Sequence, residues 1–376
     1  MSSKTLFKFS IAITKVYCIK KLFCNEKNKN SSIAFKSYHY NKNVNSLYPK
    51  STPKFVALIQ NVLIPKVFCS SCYPLQCEDI HRIIHESKKK IEQFVFTHET
   101  EEKLRAALKS AIALKDRKLV VKVQLVLAQF YLCKDDLEKA EIMYKFVIQN
   151  LKLMSVPPTD LTMVEVSIHL AYINGLNNNC APAHFGFEWA IVTLRKLLDE
   201  NCKGAKVFCL VDEKCTTIEL TTKHIQRLLS LALEKYGKYL HRKGTNPQAL
   251  IATLEALDYA KLVHENNDLA IMVLYNDIAS MKSDLGLHEE AVEDAWKAVQ
   301  IAQAHSKVSR ADKAVFYSNL GCIYYAMKDF TNASQAFDRA WDEVSRSRDQ
   351  RLKANISSLL ARFKHDFKAR RWWCFW

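Results

Sequence analysis

Glycine and proline are scarce in this chain of 376 residues, at seven and eight. Sheet proteins spend those residues on hairpins and strand turns, so the shortage argues against a many-stranded fold. It favours helices joined by short connections. The seven glycines never fall into GxGxxG or GxxxxGK(S/T), which leaves no loop able to cradle phosphates. HExxH is missing, although His85, His98, His264 and His288 each precede a glutamate, and no GxSxG elbow occurs. The twelve histidines are scattered without a triad signature, and the Glu289–Glu290 pair reads as solvated charge in an inter-helix turn. No catalytic residue, no cofactor and no enzymatic activity are expected.

Arginine is absent from residues 1–77, and acid is nearly so. Twelve lysines stand there against Glu26 alone, a net +11 of the chain's +16. The remaining residues hold 43 basic and 38 acidic side chains, only +5. A nucleic-acid binder carries its basic patch on the folded domain. Here the excess lies ahead of it, and no nucleic-acid partner is expected.

The leader begins MSSKTLFKFSIAITKVYCIKK. At 100° per residue Lys4, Lys8 and Lys15 share one narrow sector, with Leu6, Phe9, Ile13, Val16 and Tyr17 opposite, so it reads as a basic amphipathic helix. Acid-poor, serine-containing leaders of this kind resemble mitochondrial presequences, whereas Lys8 and Lys15 interrupt any secretory apolar run. Residues 1–77 are therefore read as a presequence and linker, largely disordered. Residues 55–76 form the most apolar stretch, but Gln60, Asn61, Pro65 and Lys66 interrupt it. That makes it a weak candidate membrane anchor rather than a spanning helix.

The twelve cysteines lack the regular density of a secreted disulfide scaffold and read as reduced, mostly buried residues. Cys69 and Cys72, with Cys77, His81 and His85 on a helix, have ligand chemistry for zinc. No second CxxC completes the site, and no metal is expected.

What is abundant is a periodic order of small and aromatic residues. Gly321, Tyr324, Ala333, Phe337 and Ala340 follow small, x2, Tyr, x8, Ala, x3, aromatic, x2, Ala. Ala128, Tyr131, Ala140 and Tyr144 repeat it, with Val147 at the last small site. Ala171, Ala183, Phe187 and Ala190 repeat it with Asn174 in place of the tyrosine. Gly237, Ala249 and Ala256 form a weaker copy, as do Ala279, Ala291 and Ala298, and a more degenerate helix pair covers residues 80–115. This is the tetratricopeptide pattern of stacked helix-turn-helix units. Small residues let paired helix axes approach to about 8 Å, and the aromatics fill the space beside the contact. The first small positions recur at intervals of about 42 residues, except for a gap that places an insertion near residues 200–222, where Cys202, Cys209 and Cys215 match no metal spacing. The fold expected is all-α, a right-handed tetratricopeptide solenoid over residues 78–363 with about 42-residue spacing, followed by a basic aromatic tail, 364–376.

Such a solenoid offers a groove lined by the first helix of each repeat. The register assigns Lys238, His241 and Arg242 to it, then Asn276, Ser280 and Ser283, then Ser318, Cys322 and Tyr325. A carboxylate clamp for a peptide C-terminus needs converging lysine, arginine and asparagine. Leu125 and Gln129 occupy two of those positions and only Asn319 fits, so the clamp is absent.

In order, the chain reads a basic leader, VLAQFYLCKDDLEKAEIMYKFVI, VEVSIHLAYI continuing to FGFEWAIVTL, the insertion, YGKYLHRKGTNPQALIATLEALDYAK, and VLYNDIASMKSDLGLHEEAVEDAWKAVQIAQ. This order over residues 80–363 resembles the mitochondrial tetratricopeptide repeat protein 19 family, assembly and maintenance factors of respiratory complex III. The resemblance implies a non-enzymatic factor at the mitochondrial inner membrane that binds complex III subunits and bears on turnover of Rieske iron–sulfur fragments. It supplies no catalytic residues. The alternative is a cytosolic adaptor for peptide cargo of the kinesin-light-chain type. Its repeats have a similar spacing, but it normally carries a heptad coiled coil ahead of them, which residues 1–77 lack.

Overall fold

The structure, a computed structural model, describes residues 75–373 apart from 93–95, 201–217, 266–267, 307 and 348. The leader, the 55–76 stretch, the Cys69/Cys72 pair and most of the insertion lie outside the described residues. Among those described there are helices and no strands. They fall into two compact units, divided between Met154 and Ser155.

The first unit contains α1 (Cys77–Glu92), α2 (His98–Ala113), α3 (Arg117–Cys133) and α4 (Leu137–Leu153). The second contains α5 (Leu161–Leu176), α6 (Cys180–Asp199), α7 (Ile218–Arg242), α8 (Asn246–Val263), α9 (Leu269–Asp284), α10 (His288–Ala304), α11 (Arg310–Ala326), α12 (Phe330–Ser345) and α13 (Gln350–Trp373). Within each unit successive helices pack on one another. In the second, the odd-numbered helices α5, α7, α9 and α11 also touch in series.

One turn device recurs and explains how the chain manages with so little glycine. A single residue in the left-handed region ends one helix, and the next residue caps the following helix. Lys115, Asp135, Asn178 and Lys328 take φ values of 56–66°, and Gly244 and Gly286 take 80° and 81°. A side chain in this region costs about 1 kcal/mol, which a glycine avoids. The caps repay part of that cost, because Asp116, Asp136 and Asp329 each accept a hydrogen bond from the backbone N–H three residues on. The paired helices from α3 to α12 run 16 to 25 residues, which accounts for a repeat longer than 34 residues. The longest is α7, at 25 residues. It begins at Ile218, so the C-terminal part of the insertion is helix.

The signature residues sit in the contacts between helices. Ala128, Tyr131, Ala140, Tyr144, Ala171, Ala183, Phe187, Ala190, Ala249, Ala256, Ala279, Ala291, Ala298, Ala333, Phe337 and Ala340 are all at most 3% exposed. Gly237 and Gly321 are buried as well. The contact partners differ from the simple rule of small residue against alanine. A methyl group on Gly321 would lie 2.8 Å from the ring of Phe337, so this glycine makes room for the aromatic. A methyl on Gly237 would collide with the Thr253 hydroxyl and come within 3.2 Å of the Ala249 carbonyl.

Two tyrosines of the pattern do more than fill space. Tyr131 donates to Glu101 Oε1 at 3.0 Å and accepts from Arg105 Nε at 3.2 Å, tying α3 to α2. Burial pushes its hydroxyl up to about 12. Tyr324 is only half-buried, contrary to a pure filler role, because its hydroxyl reaches the surface of α10 and accepts from Trp296 Nε1 at 3.0 Å.

The last helix closes the second unit. Leu352, Ile356, Leu360 and Phe363 are buried, while Arg351, Ser357, Ser358 and Arg362 are exposed. A stack of helix pairs needs such a polar outer face at its end. The helix also continues beyond Phe363 into the basic stretch, as far as Trp373.

Candidate functional site

The most organised polar arrangement of the second unit lies on its odd-numbered helices. On α7, Glu234, Lys238 and His241 fall at i, i+4 and i+7, one face of the helix. That face meets α9. Lys238 Nζ lies 2.7 Å from Glu234 Oε1 and 3.0 Å from Asp277 Oδ2. One turn on, His241 Nε2 lies 2.7 Å from Asp284 Oδ2. At the position of α9 adjacent to Asp277, Asn276 Oδ1 accepts from Asn319 Nδ2 of α11 at 2.8 Å. Polar pairs thus join three successive odd-numbered helices at fixed register.

The charges are held out of water. The Lys238, Glu234 and Asp277 side chains are 12%, 12% and 7% exposed. Burial alone would lower the Lys238 ammonium, but the Asp277 and Glu234 carboxylates outweigh it and hold it above its ordinary value. Its neighbour Lys235 is 1% exposed, 3.3 Å from Glu234, with its Nζ 5.0 Å from the centre of the Tyr172 ring on α5. There burial prevails and lowers the ammonium below its usual range. His169, on α5, is 2% exposed and pulled down to about 3, first by burial and then by the Lys235 charge.

The fold keeps His169 neutral, whereas the unfolded chain takes up its proton below about 6.5. Stability is therefore complete above that pH and falls as the pH is lowered from about 6.5 towards 3. His224, beside Arg227, has the same sign and the same low value, again first through burial. At pH 5 His169 alone is expected to cost about 2 kcal/mol relative to pH 7.5. Urea midpoints at the two pH values measure this. A His169→Gln variant that keeps the whole pH slope would refute it.

The groove candidates differ in burial. His241, Asn276 and Ser318 are 5%, 1% and 4% exposed, which corrects their placement on an open face. His241 is engaged by Asp284 of α9 and Asn276 by Asn319 of α11, so both are consumed in contacts between helices. Lys238 is nearly as enclosed. Arg242, Ser280, Ser283 and Cys322 remain half-buried. Tyr325 is half-buried too, edge-on to Phe330 and Phe363 at 5.9 Å each, so α13 covers part of its ring. Gln129, tested for the clamp, is 2% exposed.

Sequence reasoning missed Glu234, Lys235, Asp277 and His169. The i, i+4 Glu–Lys pair was readable, but Lys235 and His169 look like surface residues until the neighbouring helices are placed. Cys77, His81 and His85 are exposed on α1, and no group of three metal-ligating side chains assembles among the described residues.

Two family models described as tetratricopeptide repeat match residues 272–308 and 314–341, the α9–α10 and α11–α12 pairs. Human mitochondrial tetratricopeptide repeat protein 19 is 23% identical over 258 residues, 69% of this chain and 65% of its own length, so the match spans just under two thirds of that relative. The Drosophila melanogaster homologue is 21% identical over 64% of this chain and 60% of its own. Among solved structures, a Rap protein complexed with competence and sporulation factor superposes with a TM-score of 0.51 at 14% identity. That match covers 82% of this chain and 81% of the Rap chain, a likeness of fold alone. No catalytic family appears among these matches. The described helices thus carry a tetratricopeptide-type repeat, and the chain is similar to mitochondrial tetratricopeptide repeat protein 19 of several animals.

Proposed function

We propose that this chain is a non-enzymatic scaffold at the mitochondrial inner membrane. It assists assembly or maintenance of respiratory complex III, including turnover of fragments of its Rieske iron–sulfur subunit. The observation that carries this is the alignment with mitochondrial tetratricopeptide repeat protein 19, which runs through 69% of the chain. The basic amphipathic leader, residues 1–77, supports import as a presequence and linker.

The polar pairs across α7, α9 and α11 support a binding role rather than chemistry. They fix the spacing of the helices, while Arg242, Ser280, Ser283 and Tyr325 stay half-exposed to receive a complex III subunit. No helix among the described residues is long and apolar enough to cross a membrane.

A tagged chain is expected in mitochondria, and its deletion is expected to lower complex III activity and to leave Rieske fragments accumulating on blue-native gels. A cytosolic location, or unchanged complex III after deletion, overturns the reading.

A further inference from the structure

The outer face of α6 and α8 carries an apolar cluster that the scaffold reading leaves unused. Of the ten large apolar side chains exposed among the described residues, five lie on these two helices: Phe185 and Val192 on α6, and Ile251, Leu254 and Leu262 on α8. Val192 is 54% exposed and Ile251 66%. The next outer helix, α10, turns Glu289, Glu293, Lys297 and Gln300 to water instead. Single exposed apolar residues are ordinary, but a cluster on two neighbouring helices marks an interaction surface.

Both α6 and α8 pack on α7, which returns between them, so they run in the same direction. Arg195 ties them together, its Nη2 donating to Glu255 Oε1 and Oε2 at 2.6 and 2.7 Å. That pair sets α8 level with α6 at an offset of 60 residues. The side chains around it form a palindrome. On α6, Glu188, Val192 and Lys196 are exposed at i, i+4 and i+8, an acid and a base equally spaced about Val192. On α8, Ile251 and Leu254 are equally spaced about a point that the offset brings level with Val192 to within a turn.

We propose that this face joins two copies of the chain in a two-fold symmetric dimer. A two-fold contact uses one patch twice, so the patch must be complementary to itself. An axis at the height of Val192 lays α6 antiparallel on the partner's α6, and α8 antiparallel on the partner's α8. Val192 then packs on the partner's Val192, and Ile251 on the partner's Leu254. Glu188 meets the partner's Lys196, and Lys196 meets the partner's Glu188. Within one chain these two charges hold only exposed local contacts, His184 at 3.2 Å and Glu200 at 3.7 Å, which contribute little and exchange readily. A lipid surface or a nucleic acid calls for an excess of cations. Here Arg195, Lys196 and Lys261 are balanced by Glu188, Glu255 and Asp258. The dimer goes beyond the scaffold reading, and its test does not involve complex III.

Sedimentation of the full chain between about 1 and 100 µM tests this. Monomer should pass to dimer with a Kd on the order of 10 µM, as suits a small contact of two helices a side. A V192E/I251E variant should dimerise at least about 100-fold more weakly. Its thermal midpoint, read at about 1 µM where the chain is monomeric, should not move, because both side chains are exposed in the single chain. Glu188→Lys sets lysine against lysine at both ends of the contact, and Lys196→Glu sets acid against acid. Each is expected to weaken the dimer about tenfold. The combined E188K/K196E variant restores opposite charges and should return the Kd to within about threefold of the unaltered chain. A chain still monomeric at about 100 µM overturns the proposal. So does a dimer indifferent to V192E/I251E, which would place the contact elsewhere, or a double reversal no tighter than the single ones.

Discussion

Replacing Lys238 by methionine is expected to lower the stability of the second unit by about 3–5 kcal/mol, measured by urea denaturation. The side chain is 12% exposed and touches two carboxylates, Glu234 at 2.7 Å and Asp277 at 3.0 Å. Removing the cation leaves Asp277, only 7% exposed, with a charge that water barely reaches. Lys235 still faces Glu234 at 3.3 Å, so the loss falls mainly on Asp277. The physical claim is that an unpaired buried charge costs more than the pair itself contributes. Replacing both partners, Lys238→Met with Asp277→Leu, should then recover most of the loss. A single variant that loses less than about 1 kcal/mol would show that the pair is solvated after all. A double variant no better than the single would show that Asp277 was not the damaged group.

The second large effect concerns Phe337. Truncation to alanine is expected to cost about 3–5 kcal/mol, because the ring is 3% exposed and packs between Gly321 and Phe363. Gly321→Ala alone adds a methyl 2.8 Å from that ring. Overpacking costs about 1–3 kcal/mol, offset in part by roughly 1 kcal/mol of improved helix propensity. Combined, the two changes should cost at least about 1 kcal/mol less than their sum, because the new methyl enters space the ring has left. Additivity within about 0.5 kcal/mol would mean that Gly321 does not make room for Phe337.

This pair also shows how far the pattern could be read. The order of small and aromatic residues announced both positions as buried contacts. Whether Gly321 met an alanine or a ring depended on how far one helix slides along the other, which the spacing does not encode. The same holds for Tyr324. Its place in the repeat was legible, but its hydroxyl is drawn to the surface by Trp296, which belongs to the preceding pair.

The polar residues divide similarly. Lys238 reads as a groove residue by register, but its partner Asp277 lies 39 residues away on α9. No local periodicity joins them. Asn276 and Ser318 face the groove by register alone, yet both are enclosed, and Asn276 accepts a hydrogen bond from Asn319 of the next odd-numbered helix. Register gives a direction around the helix, but it does not say how near the next helix will come.

By itself, the sequence determined an all-helical repeat, the rhythm of its pairs and the small-and-aromatic contacts inside each pair. Those features arise from side-chain volume at fixed offsets along one helix or between two adjacent ones. Only the tertiary structure decided which polar residues are consumed between repeats, that Lys235 and His169 lie in the interior, and that α13 closes the stack before running on into its basic end. These outcomes depend on desolvation by helices distant in the chain, and burial of that kind exists only once the repeats have stacked.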